Sequence, residues 1–173
     1  MAASLSFRQQ IFVDFRNLVS DHPHDHGFRW VDAQLLRFVP PKASDTELLA
    51  ALIRPVRFRD GYAGDGVHES TTWHGPYRIR HITVDAYEPT GPQAAEKPVR
   101  ERAEEERTVP ESPEEVLLDT VYRPVRTASA RYLLKDLGCG AFHDWGGVHT
   151  EFHELVLVDR REHRLTLLVA ADD

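Results

Sequence analysis

The chain has 173 residues, 41% hydrophobic and 28% charged, with a formal net charge of −7. That composition excludes wholesale disorder, and no apolar run is long enough to span a bilayer. No membrane partner is expected, the acidic balance argues against a nucleic-acid partner, and the lone Cys139 excludes an internal disulfide framework. The first twenty residues carry Arg8, Asp14 and Arg16 among apolar ones, unlike a secretory leader, so a cytoplasmic setting is expected.

In chain order, Leu5, Ile11, Phe12, Phe15, Leu18 and Val19 recur at helical spacing and predict an amphipathic helix over residues 4–20. Asp21 to His26 reads as a polar loop in which His22, His24 and His26 alternate. Residues 28–39 have no helical stripe, end at Pro40-Pro41 and predict a strand. Ser44 with Glu47 three residues on forms a capping box ahead of Leu48, Leu49, Leu52 and Ile53, one apolar helical face that stops at Pro55. The glycine-rich stretch 61–66 lacks the lysine and spacing of a phosphate loop and reads as a flexible loop. His74-Gly75-Pro76 marks a turn. A strand is expected from Tyr77 to Glu88, with a bulge near Arg80-His81 to reconcile its change of phase.

Residues 89–115 hold eight glutamates, four basic residues and five of the eleven prolines, so most of the net acidity belongs to this segment. It reads as a charged, solvated linker over 89–112 that could dock a protein partner. The expected division is an N-terminal α+β module, 1–88, the linker, 89–112, and a C-terminal α+β module, 113–173, sharing a core with the first. Residues 43–57 and 112–126 align without gaps at six identical positions of fifteen, ending in Arg-Pro-Val-Arg in both. This suggests an internal duplication of a helix-plus-strands unit. The second helix has Ser112-Pro113 at its start, Leu117, Leu118, Val121 and Tyr122 on its apolar face, and Pro124 as its stop. Residues 148–158 and 164–170 predict a closing β-hairpin. The expected class is α+β, antiparallel sheets with a few packed helices.

Chemistry is sought among the ten histidines. On a regular strand over 148–158, His149, Glu151 and His153 share one face. Neighbours two apart can meet one ion, and His143, Asp144 or His68 could complete the set. Two imidazoles and a carboxylate with an open position suit Zn²⁺ or Fe(II) in hydrolysis or oxidation. Without metal, Glu151 would orient His153 or His143 as general acid or base. The arginines after each helix, Arg54, Arg57 and Arg59 with Arg123, Arg126 and Arg131, could bind an anion, though residues there also complement helix C-termini. The functional expectation is a small enzyme acting on a small, anionic molecule through a His/Glu site. The alternative is a non-catalytic protein-interaction module with an acidic flexible linker.

Overall fold

The computed structural model describes residues 2–14, 29–62, 66–104, 115–149 and 151–172. Its centre is a six-stranded antiparallel sheet built from β1 (Ser4–Asp14), β2 (Arg29–Val39), β5 (Tyr87–Pro89), β6 (Ala130–Leu134), β7 (Phe152–Asp159) and β8 (Arg164–Asp172), in the order β1-β2-β8-β7-β6-β5. A separate two-stranded hairpin, β3 (Trp73–His74) and β4 (Tyr77–Arg78), lies in the long connection before β5. The fold is α+β, with one sheet drawing strands from both halves of the chain. Among the described residues no helix is long and apolar enough to cross a membrane.

The sheet is covered on both faces, which explains the near-continuous apolar runs of β7 and β8. On one face, Leu36, Phe38, Val156, Val158, Leu165 and Leu167 pack against Leu48, Leu49 and Leu52 of α1 (Asp45–Ile53) and against Phe58. Ser44 caps α1 through the expected box: its backbone N–H donates to Glu47 at 2.7 Å, and its hydroxyl accepts from the Glu47 N–H at 3.3 Å. Arg160, in the β7–β8 turn, pairs with Asp45 and anchors that end of α1. On the other face, Val31, Ala33, Leu155, Leu157, Leu168 and Ala170 pack against α2 (Pro92–Glu104) and α3 (115–127). Each fully buried leucine or valine of these layers contributes about 1.5–3 kcal/mol.

Several expectations are corrected. Residues 4–14 form strand β1, not a helix. A bulge between Phe7 and Gln9 shifts the alternation halfway along the strand, which gives its apolar residues a helix-like spacing. Residues 92–104 form α2 instead of a solvated linker. Ala95 and Val99 are one helical turn apart and buried, and Glu96 is clasped by Arg126 and Arg100, each at 2.7 Å. Residues 105–114 lie outside the described residues, as does the loop carrying His22, His24 and His26. Pro124 does not end its helix: a π turn at Leu118–Tyr122 widens the backbone ahead of it, and the helix runs on to Thr127. Residues 77–88 are not one strand. The 3₁₀ turns Ile79–His81 and Val84–Ala86 interrupt them and produce the change of phase. The duplication is not shown, since the two similar segments, α1 and α3, pack on opposite faces of the sheet.

Candidate functional site

The expected His/Glu site depended on a regular strand from residue 148. Instead Gly146–Val148 make a 3₁₀ turn and β7 begins at Phe152, so His149 and Glu151 precede the strand. Gly146 permits that turn: a Cβ there would meet the Pro76 carbonyl oxygen at 2.3 Å. His149 is buried, with Nδ1 2.8 Å from the Asp172 carbonyl oxygen and Nε2 2.8 Å from that of Gly61. Each ring nitrogen faces a carbonyl oxygen, so a neutral ring donates to one of the two. Glu151 and His153 do meet, at 3.1 Å, as a partly exposed pair. His153 projects to the α2/α3 side of the sheet, as Leu155 and Leu157 do.

His143 lies away from that pair. Its ring stacks on Trp73 at 4.9 Å, its Nε2–H donates to the Gly75 carbonyl at 3.0 Å, and its Nδ1 accepts from the Trp145 N–H at 3.1 Å. Burial holds its pKa below the ordinary imidazole value. Asp144 pairs with Arg78 at 2.9 Å on the surface, and His68 is exposed. Glu151 thus meets His153 and His143 feels the charge of His149, but the six side chains are not gathered into one set. Among the described residues no group of three or more histidine, cysteine or carboxylate side chains is placed to hold a metal ion.

A different set of polar side chains is gathered under α1's side of the sheet. Glu154 of β7 lies opposite Val169 of β8, and Val169 lies opposite Asp32 of β2. The two carboxylates thus share one row across the sheet, about 10 Å apart at the backbone. Both are 1% exposed. Glu154 accepts from the Tyr87 hydroxyl at 2.5 Å and bonds His74 Nε2, while His74 Nδ1–H donates to the Phe58 carbonyl. His74 is fully buried, stacked 3.7 Å from the Phe58 ring and edge-on to Tyr62 and Phe152. Gly75 makes this seat possible. It has φ +50°, and a Cβ there would come within 2.4 Å of the Phe152 ring.

Asp32 accepts from Gln10 Nε2 at 2.8 Å and lies 3.5 Å from Gln34 Nε2. Burial raises its pKa, more than the two amide contacts lower it. Tyr62 stacks on Trp30 at 5.4 Å, and its hydroxyl is buried beside the Gln34 amide. Burial, with the nearby carboxylates of Glu154, Asp32 and Asp60, pushes that hydroxyl well above its usual pKa, so it stays protonated.

Gln34 also faces a cavity. A pocket of about 200 Å³ opens between β1, β2, α1 and the turn after it. Leu36, Leu52, Phe58 and Leu167 make its apolar wall, Gln34 supplies a buried amide, and Arg57 stands among the lining residues with its guanidinium 3.7 Å over the Phe7 ring. That stacking fixes the position of Arg57 while leaving the edge of the guanidinium plane for a ligand. The sequence singled out Arg57 as a possible anion contact but gave Gln34 no role. The available signal was its polar side chain on the face of β2 that also carries Leu36 and Phe38. Comparison with family models, curated proteins and solved structures finds no match.

Proposed function

We propose that this chain binds a small amphipathic anion in the pocket between α1, β1 and β2. The apolar part of the ligand lies against Leu36, Leu52, Phe58 and Leu167, its carboxylate pairs with Arg57, and Gln34 receives a polar group at the inner end. The observation that carries this reading is an apolar cavity of about 200 Å³ bearing one buried amide and one stacked guanidinium. A 150 Å³ cavity suffices for benzene, so the ligand has about six to nine non-hydrogen atoms. A Kd between about 10 µM and 1 mM is expected for a molecule of that size.

A metal-free acid–base reaction on the bound molecule is a second reading. It is favoured by Gln34, which touches both the pocket and Asp32, a carboxyl whose pKa burial raises. The sealed His74–Glu154 pair has no direct route to the ligand. Hydrolysis or oxidation at Zn²⁺ or Fe(II) would need a third ligand beside the Glu151–His153 pair, and the described residues place none there. A protein partner could dock on the outer face of α2, where Lys97 and Glu101 are exposed. A cytoplasmic setting suits a pool of small carboxylates.

Calorimetric titration with benzoate and hexanoate against benzyl alcohol and hexanol tests the proposal. The carboxylates should bind saturably, and Arg57→Gln should weaken them about tenfold while sparing the alcohols. Absence of saturable binding by either class, or equal loss for both in Arg57→Gln, would overturn it.

A further inference from the structure

A second cavity, of about 360 Å³, lies at the end of the sheet where β2 meets the β7–β8 turn, and Arg8, Arg37, Glu162, His163 and Arg164 line it. In a chain of net charge −7, three arginines in one groove run against the overall balance. Their positions follow from the backbone. Arg37 and Arg164 are direct cross-strand partners in the β2–β8 register, which holds their Cβ atoms about 5 Å apart. Arg8 is the residue passed over where the β1–β2 register steps from Phe7↔Leu36 to Gln9↔Leu35. A bulge of this kind re-aims one side chain, here towards the same groove.

Like charges opposite each other weaken strand pairing. Nearby carboxylates relieve this only in part. Arg164 pairs with Asp159 at 3.3 Å. Arg8 and Arg37 have no ion-pair partner among the described residues, and Glu162 forms no ion pair there with any of the three. Asp159 offsets the Arg164 charge, so the uncompensated charge in the groove lies on Arg37 and Arg8, and a bound anion would offset it.

We infer that this groove binds a phosphate group, as inorganic phosphate or as a small phosphomonoester. Guanidinium forks match phosphate oxygens in pairs, and three forks suit a tetrahedral group that offers oxygens in several directions better than a planar carboxylate. The volume exceeds what one phosphate needs, so room remains for an organic substituent beside Leu35 and Leu36. This site is separate from the pocket near Arg57 and stands whether or not that pocket binds a carboxylate.

Titration of the purified full chain with inorganic phosphate and with glycerol 3-phosphate tests the inference. Saturable one-to-one binding is expected, weakened about tenfold or more by Arg37→Thr and by Arg8→Gln. Tighter binding of glycerol 3-phosphate supports a phosphomonoester as the ligand, and equal binding supports free phosphate. Arg37→Thr should also raise the thermal midpoint in phosphate-free buffer by about 1–3 °C, because the opposed charge is gone, and should abolish the phosphate-dependent rise seen in the parent protein. No saturable binding of either probe up to about 10 mM, or unchanged affinity in both variants, would overturn the inference.

Discussion

Substituting His74→Phe keeps a ring stacked on Phe58 but removes both nitrogens, leaving Glu154 with Tyr87 as its remaining partner in the trio and the Phe58 carbonyl without its donor. His74 and Glu154 are both sealed from solvent. Breaking a buried pair of this type costs about 3–5 kcal/mol, chiefly from the carboxylate left behind. At about 2–4 °C per kcal/mol for a chain of this length, the thermal midpoint should fall by about 6–20 °C. Glu154→Gln keeps an oxygen for Tyr87 and an N–H for His74 Nε2, so its cost should be nearer 1–2 kcal/mol, roughly that of weakened hydrogen bonds. The double variant should cost less than the two singles together, with a coupling of about 1.5–3 kcal/mol by urea unfolding followed by circular dichroism. Additivity within about 0.5 kcal/mol would mean that the two side chains do not stabilise each other, and the reasoning would fail.

Two further outcomes follow from the other buried ionisable groups. Burial raises the Asp32 pKa in the folded state. Its favourable contribution is therefore complete below the unfolded carboxyl value and is lost as pH rises through the folded one. Asp32→Asn should accordingly raise the unfolding midpoint at pH 7, with the gain shrinking towards zero near pH 4; a gain independent of pH would refute this. His143 shows the opposite sense: its folded pKa is depressed, so its contribution holds above the ordinary 6.5 and is lost as pH falls through the folded value. A proton NMR titration should find its midpoint below 6.5, and a midpoint above it would contradict the burial argument.

Short-range signals in the sequence were the ones that located elements correctly. The Ser44–Glu47 box marks the start of α1, the end of the apolar stripe at Ile53 precedes Pro55, and the two apolar runs around Arg160–His163 form the β7–β8 hairpin. In β1 one bulged residue changes the phase of a two-residue repeat, which gives the strand a helix-like spacing. Residues 92–104 resemble a linker because only Ala95 and Val99 need an apolar neighbour, and although Arg100 lies one turn from Glu96, its other arginine, Arg126, lies 30 positions away. The site shows the same limit. Glu154 was visible as a lone carboxylate on a face otherwise filled by Phe152, Val156 and Val158, which signals a need for a buried partner. That the partner is His74 depends on a contact across 80 positions, which no local pattern encodes. His149, Glu151 and His153 share a face only on a strand that begins at residue 148, and β7 begins at Phe152. The turn at Gly146–Val148 removes that premise.

The pocket under α1 can be tested by filling it. Ala51 lies on its wall and is 8% exposed. Ala51→Leu places an isopropyl group inside a cavity of about 200 Å³ and leaves Arg57 and Gln34 themselves unsubstituted. Carboxylate titration of this variant, alongside its thermal midpoint, should show binding reduced at least about tenfold while the midpoint holds or rises, as cavity filling generally gives. Benzoate or hexanoate binding to Ala51→Leu with unchanged affinity would contradict the assignment of the pocket as the ligand site.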